Sequence, residues 1–208
     1  MDPGIQSNEK DQRTLFYFRI IHAKEDLGEM SETIYRYSRA YQSQESLRRK
    51  MDLIDKLWST IERFIDDLPP VNQNLRVYQD GLPVCGREIE IVKELAARGS
   101  RNHQLVVRLM EKGATVMGTE LPELLLQEYE MIKRIFENKP THKTSIREIV
   151  QKSQSETLVK QRDQFIANRI NHTLQKGETG ILFLGMLHSL EDFLEKDIRI
   201  IEPPILFQ

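Results

Sequence analysis

The chain has 208 residues, of which 39% are hydrophobic and 30% are charged, and its formal net charge at pH 7 is −2. This length suits one well-buried domain. The nearly balanced charge gives no reason to expect binding to nucleic acid or to an anionic membrane surface.

Two further features bear on the location of the chain. The chain has a single cysteine, Cys85, and so cannot form an intrachain disulfide. We expect this thiol to be buried and inert. The polar N-terminal segment has no apolar core of the kind that secretory signals carry, and the apolar run at residues 181–187 is too short to span a bilayer. We therefore expect a cytoplasmic protein with no membrane partner.

The first half of the sequence predicts two strands separated by helices. After a disordered tail over residues 1–14, the aromatic and β-branched run at 15–22 predicts a first strand. Residues 29–67 carry apolar side chains at steps of three and four, which predicts a helical insertion. A second strand follows at 75–81. Two helices come after it, the second capped by Ser100.

The second half continues the alternation. A third strand at 114–118 leads into Thr119-Glu120 and a helix that begins at Pro122. A helix or helix pair over 145–176 precedes an apolar strand at 180–187. Ser189 is placed to cap a short helix, and a fifth strand lies at 198–201. The pattern predicts an α/β fold, a mostly parallel sheet of about five strands flanked by helices, as a single domain over 15–208.

Polar residues follow four of the five predicted strands. His22 ends the first, Asp80 the second, Glu120 follows the third and His188 ends the fourth. Ligands of open α/β sheets bind outside the carboxyl ends of the strands. Imidazoles and carboxylates gathered there could hold a divalent metal such as Mn²⁺, Zn²⁺ or Co²⁺, or could divide acid and base roles. Each residue taken alone is better explained as a turn or capping residue, and the set as a whole favours a site.

Three cations are candidates for orienting a substrate. Arg162 falls inside an apolar helical arc, where it either pairs with a carboxylate or holds an anionic group; our first guess for its partner is Glu120. Arg101 and His103 lie in a first helical turn, where anions are favoured. The alternative for His103 is an exposed residue at a helix start.

The segment 161–188 resembles a known family. Arg162-Asp163 on a helix, then Gly177 and a strand leading into Gly185-Met186-Leu187-His188, resembles the C-terminal motif of the TraB/PrgY/TIKI group. That group belongs to a wider set with the erythromycin esterases and the haem-binding lipoprotein ChaN. The resemblance implies an α/β core with active-site His and Glu residues at strand ends. TIKI members are described as metal-dependent proteases, whereas the esterases use His and Glu without a required metal.

The N-terminal part departs from this pattern. The family opens with glycine three residues before a histidine, whereas this chain has Arg19 three residues before His22.

These observations lead to three hypotheses. The first is a hydrolase, with or without a metal, that acts on a small molecule or a peptide. Glu120 and His188 are then its catalytic residues, and the metal ligands come from His22, Asp80, Glu120 and His188. The second is a non-catalytic small-molecule-binding or sensor protein with the same pocket, in which charged helices form a homodimer. The third, a helical adaptor, would leave these residues dispersed.

Overall fold

The computed structural model describes residues 12–26, 43–68, 74–137 and 156–204. Strands and helices alternate along these ranges, as the sequence predicts. The strands are β1 (Arg13–Ile20), β2 (Leu75–Gln79), β3 (Thr115–Met117), β4 (Thr179–Gly185) and β5 (Ile198–Ile201). The helices are α1 (Gln44–Asp66), α2 (Glu88–Ala97), α3 (Arg101–Glu111), α4 (Pro122–Glu137) and α5 (Glu156–Thr173).

The strands form one parallel sheet in the order β3-β2-β4-β1-β5. The central strand β4 is buried from Gly180 to Gly185, as expected for a strand that is covered on both faces. The predicted α/β fold with an all-parallel sheet is therefore confirmed. The helix α1 after β1 also agrees with the predicted insertion, of which residues 29–42 lie outside the described ranges.

Side chains that alternate along the strands build one core on each face of the sheet. Phe18, Val77 and Phe183 pack with Trp58 and Ile61 of α1 and with buried residues of α3. On the opposite face, a second core joins the strands to α5; its buried members include Leu15, Tyr17, Tyr78, Ile166, Ile170, Leu182 and Leu184.

Two local signals fix the start and the end of α3. Ser100 takes the N-cap position and its hydroxyl accepts a hydrogen bond from the His103 N–H, as its position in the sequence predicts. Gly113 follows the helix with a φ of +97°, a conformation that glycine adopts without steric cost. Since β3 begins directly after this turn, the N-terminus of α3 lies towards the carboxyl ends of the strands.

Several element boundaries differ from the predictions: β1, β2 and β4 each end two residues earlier than predicted, at Ile20, Gln79 and Gly185. Arg13 and Thr14, predicted in the tail, belong to β1, and Arg13 is buried. The short helix predicted after Ser189 is wrong, because turns occupy residues 191–194. The predicted loop at 138–144, and the predicted helix as far as residue 155, lie outside the described ranges.

Candidate functional site

The four polar side chains that follow the strands lie together at the carboxyl ends of the sheet. Asp80, Glu120 and His188 each offer a possible ligand atom, and these three atoms lie within 4.8 Å of one another. His22 joins them through its Nε2, which is 3.0 Å from Asp80 Oδ2. The predicted convergence is thus confirmed, and we call these four residues the strand-end cluster. This geometry argues against a helical adaptor with dispersed polar residues.

Backbone contacts of the central strands hold Asp80 in place. Its N–H donates to the Phe183 carbonyl at 2.9 Å, and its Oδ2 accepts the Gly185 N–H at 2.8 Å. A Cβ atom on Gly185 would lie only 2.9 Å from the same Oδ2. A side chain at this position would therefore displace the carboxylate of Asp80.

Glu120 is fixed by the loop that follows β2. Its N–H donates to the Leu82 carbonyl at 3.0 Å and its carbonyl accepts the Val84 N–H at 2.9 Å. The preceding Thr119 hydroxyl donates to the Gln79 carbonyl at 2.7 Å. These bonds tie the end of β3 to the end of β2 and bring Glu120, which is fully buried, beside Asp80.

Arg162 of α5 lies among three carboxylates. Its Nη2 is 2.6 Å from Glu120 Oε1 and 2.9 Å from Asp80 Oδ1, and its Nη1 is 3.0 Å from Glu128 Oε2. The predicted pairing with Glu120 is confirmed. Because the guanidinium is buried and faces carboxylates, its contacts support a structural ion-pair network rather than a substrate anchor.

Asp163, which was not among the predicted site residues, holds the ring of His188. Its Nδ1 lies 2.5 Å from Asp163 Oδ1, and the Ser189 N–H donates to Asp163 Oδ2 at 3.2 Å. A ring whose Nδ1 is bound in this way presents its Nε2 to the strand-end cluster, 3.9 Å from Asp80 Oδ2. The spacing of Asp163 from the buried Ile166, Ala167 and Ile170 could have indicated that it faces inward.

Neighbouring charged groups, and not a helix end, set the pKa of His188. A position at a helix N-terminus would have favoured neutral imidazole, but no helix begins there. Burial lowers the pKa of His188, but the hydrogen bond to Asp163 and the nearby charge of Asp80 outweigh it, so the pKa is raised. The imidazolium is therefore the favoured form over a wider pH range than usual.

The pKa values of the two carboxylates in the cluster are shifted in opposite directions. Burial raises the pKa of Glu120 and prevails over the guanidinium of Arg162. Burial also acts to raise the pKa of Asp80, but the hydrogen bond from His22 and the charges of His22, His188 and Arg162 bring it well below its usual range. Asp80 in turn helps to raise the pKa of His22 despite burial of that ring. Adjacent carboxylates with separated pKa values suit a division of acid and base roles.

The structure places the other predicted substrate-binding residues elsewhere. Arg101 donates to Glu62 at 2.7 Å and to Ser59 at 3.0 Å, both on α1. His103 is buried, against the expectation of exposure, and its Nδ1 lies 2.6 Å from the Ser100 hydroxyl. Cys85 is exposed rather than buried. Contacts with residues distant in sequence explain the first two differences, with α1 for Arg101 and with Asp26 for His103.

The donor set of the strand-end cluster is compatible with a metal. Two carboxylate oxygens and one imidazole nitrogen from Asp80, Glu120 and His188 suit Mn²⁺, Zn²⁺ or Co²⁺. Asp163 on the far ring nitrogen is also the kind of outer partner that metal-binding histidines have. Arg162, however, already neutralises both carboxylates, so a metal would share their oxygens with the guanidinium.

Comparison of the chain with protein-family models, with curated proteins and with solved structures finds no match. Among the described helices, none combines the length and the apolar character that a membrane span requires.

Proposed function

We propose that the chain is a hydrolase in which the Nε2 of His188 is the general base. The observation that carries the proposal is the hydrogen bond between His188 Nδ1 and Asp163, which orients the ring and leaves Nε2 towards Asp80 and Glu120. A bonded carboxylate fixes the tautomer that a general base needs and stabilises the imidazolium formed when it takes a proton. The resemblance of residues 161–188 to the TraB group supports the same assignment.

The other members of the cluster have distinct roles in this proposal. Above its raised pKa His188 is neutral, and its Nε2 then removes a proton from water as the water attacks the substrate carbonyl. Glu120, whose pKa is raised by burial, supplies a proton to the leaving group. Asp80 stays ionised and stabilises the new imidazolium, while Arg162 and His22 hold the carboxylates in position.

A metal-dependent hydrolase is the second candidate, because three ligand atoms of suitable chemistry converge within 4.8 Å. Asp80, Glu120 and His188 would hold the ion, with His22 adjacent to Asp80. A divalent ion there would lower the pKa of a water molecule towards neutrality. In this case Asp163 would orient His188 as a ligand instead of as a base.

One experiment separates these candidates. The purified chain is dialysed against a chelator, its metal content is measured, and hydrolysis of p-nitrophenyl acetate, p-nitrophenyl butyrate and a fluorogenic peptide is followed with and without Mn²⁺, Zn²⁺ or Co²⁺. Metal-free activity supports the acid–base hydrolase, and activity only after metal addition supports the second candidate. An inactive chain under all conditions would contradict both and favour the non-catalytic binding protein.

A further inference from the structure

The backbone of His188 is held as firmly as its ring. The His188 N–H donates to the Gly185 carbonyl at 3.1 Å and closes a turn after β4. The His188 carbonyl accepts a hydrogen bond from Arg19 Nη1 at 3.0 Å and another from the Tyr17 hydroxyl at 3.3 Å. Both donors come from β1, the strand adjacent to β4 in the sheet.

We propose that Arg19 is a positioning residue for His188, which it fixes through the backbone carbonyl with Tyr17 as a second donor. This inference rests on the proposed function, since it assigns Arg19 to the same reaction. Arg19 does not contact the reacting atoms. Its effect is to stop the turn at 185–188 from moving the imidazole away from Asp163 and the strand-end cluster.

Arg19 is itself held in a defined position. Its guanidinium lies 4.8 Å from the centre of the Tyr17 ring, an arrangement that favours a cation over an aromatic face. Its Nη2 donates to Glu191 at 2.7 Å and its Nε donates to Glu202 at 3.2 Å. The planar fork of an arginine can satisfy these acceptors together with the His188 carbonyl, which a lysine cannot do.

The position of a catalytic side chain affects the rate of the chemical step more than it affects substrate affinity. A displacement of about 1 Å in a reacting group can reduce a rate by about 100-fold. We therefore expect Arg19→Met to lower kcat by roughly 10- to 100-fold while KM changes by less than about twofold. Arg19→Lys should recover part of the loss, because its single ammonium group can bind the carbonyl but not the whole acceptor set.

The matched control is Arg76→Met. Arg76 is also a strand arginine in a carboxylate pair, with Glu178 at 3.0 Å, and its side chain is 24% exposed against 31% for Arg19. Glu178 directly precedes β4, so this pair lies at the amino ends of the strands, whereas His188 lies at their carboxyl ends. Loss of this pair tests the general cost of removing a strand arginine.

The test combines kinetics on p-nitrophenyl acetate with NMR of the His188 imidazole in the full chain, assigned by its absence in His188→Asn. The account predicts that Arg19→Met shifts or broadens the Nδ1–H resonance that reports the bond to Asp163, and that Arg76→Met leaves it unchanged. An unchanged resonance in Arg19→Met, or an equal change in Arg76→Met, would overturn the proposal.

Two further outcomes remain decisive. If Arg19→Met does not fold, the resonance of Arg19→Lys decides, with an intermediate shift as the expected result and no shift as the contrary one. If the wild-type chain hydrolyses no probe, the proposed function fails, but the resonance still shows whether Arg19 positions His188.

Discussion

Arg162 is the main counter-charge at the site, because its one buried guanidinium contacts three carboxylates. Its pKa is raised by Glu120 and Asp80, which together outweigh the effect of its burial. Removal of one partner from a buried ion pair leaves an uncompensated charge, which is far more costly than loss of an exposed pair. The stability of the site therefore depends on this residue.

We expect Arg162→Met to lower the free energy of unfolding by about 3–5 kcal/mol, because Asp80 and Glu120 would be left facing each other without a cation. Urea denaturation followed by circular dichroism measures the change. The control is Arg87→Met, which removes an exposed pair with Glu90 and should leave the urea midpoint unchanged. Equal midpoints for the two variants would show that the buried network does not contribute in this way.

At the scale of elements, the turn between β4 and His188 depends on Gly185. Its missing side chain allows the Asp80 carboxylate to lie against the backbone. Overpacking of a filled site typically costs about 1–3 kcal/mol, and here the displaced atom belongs to the strand-end cluster. The consequence should therefore appear in activity as well as in stability.

Gly185→Ala is expected to lower the free energy of unfolding by about 1–3 kcal/mol and to reduce hydrolysis beyond what the folded fraction explains. Gly113→Ala provides the comparison. At Gly113 the backbone has a φ of +97° but a Cβ would have no neighbour within 4 Å. That variant should lose stability through backbone strain alone and keep its activity per folded molecule. Comparable specific activities of the two variants would rule out the proposed effect on Asp80.

The positions of the elements explain which parts of the site the sequence could predict. The apolar runs of β1, β2 and β4 locate the strand ends, and parallel pairing then brings His22, Asp80 and His188 to one edge without further information. The contacts of Asp163 and Arg19 depend on how α5 and the turn after β4 pack, which no local pattern encodes. His103 was expected to be exposed because Asp26, whose Oδ1 is 3.9 Å from its Nδ1, becomes its neighbour only in the fold.

Arg19 occupies the position at which the resemblance implies a glycine. Glycine at that position could not donate to the His188 carbonyl, whereas Arg19 does so at 3.0 Å. The arginine is thus part of the structure around the site.

For the molecule as a whole, three histidines make the free energy of unfolding depend on pH in opposing ways. The pKa values of His22 and His188 are raised. Their stabilising contribution is therefore complete below the unfolded value of about 6.5 and is lost as the pH rises through the folded values. Burial lowers the pKa of His103 to about 4, so the unfolded chain binds its proton first and stability falls as the pH falls from about 6.5 to about 4.

His103→Asn should remove the loss of stability at acidic pH that the titration of His103 causes. Between pH 6.5 and pH 4, wild-type stability is expected to fall by up to about 3 kcal/mol more than that of the variant. Urea denaturation across this range measures the difference, and His172→Asn at an exposed position should follow the wild-type curve. Parallel curves for wild type and His103→Asn would mean that His103 titrates alike in both states.

The central claim is that Nε2 of His188 performs the chemistry while its Nδ1 only holds the ring, and His188→Asn tests this most directly. The asparagine amide can replace Nδ1 in the bond to Asp163 but offers nothing in place of Nε2. Hydrolysis of p-nitrophenyl acetate per folded molecule is compared for wild type, His188→Asn and His172→Asn. The account predicts a loss of roughly 10²–10⁴-fold in His188→Asn alone, with a melting temperature close to that of wild type. Retained activity in a folded His188→Asn protein would contradict it.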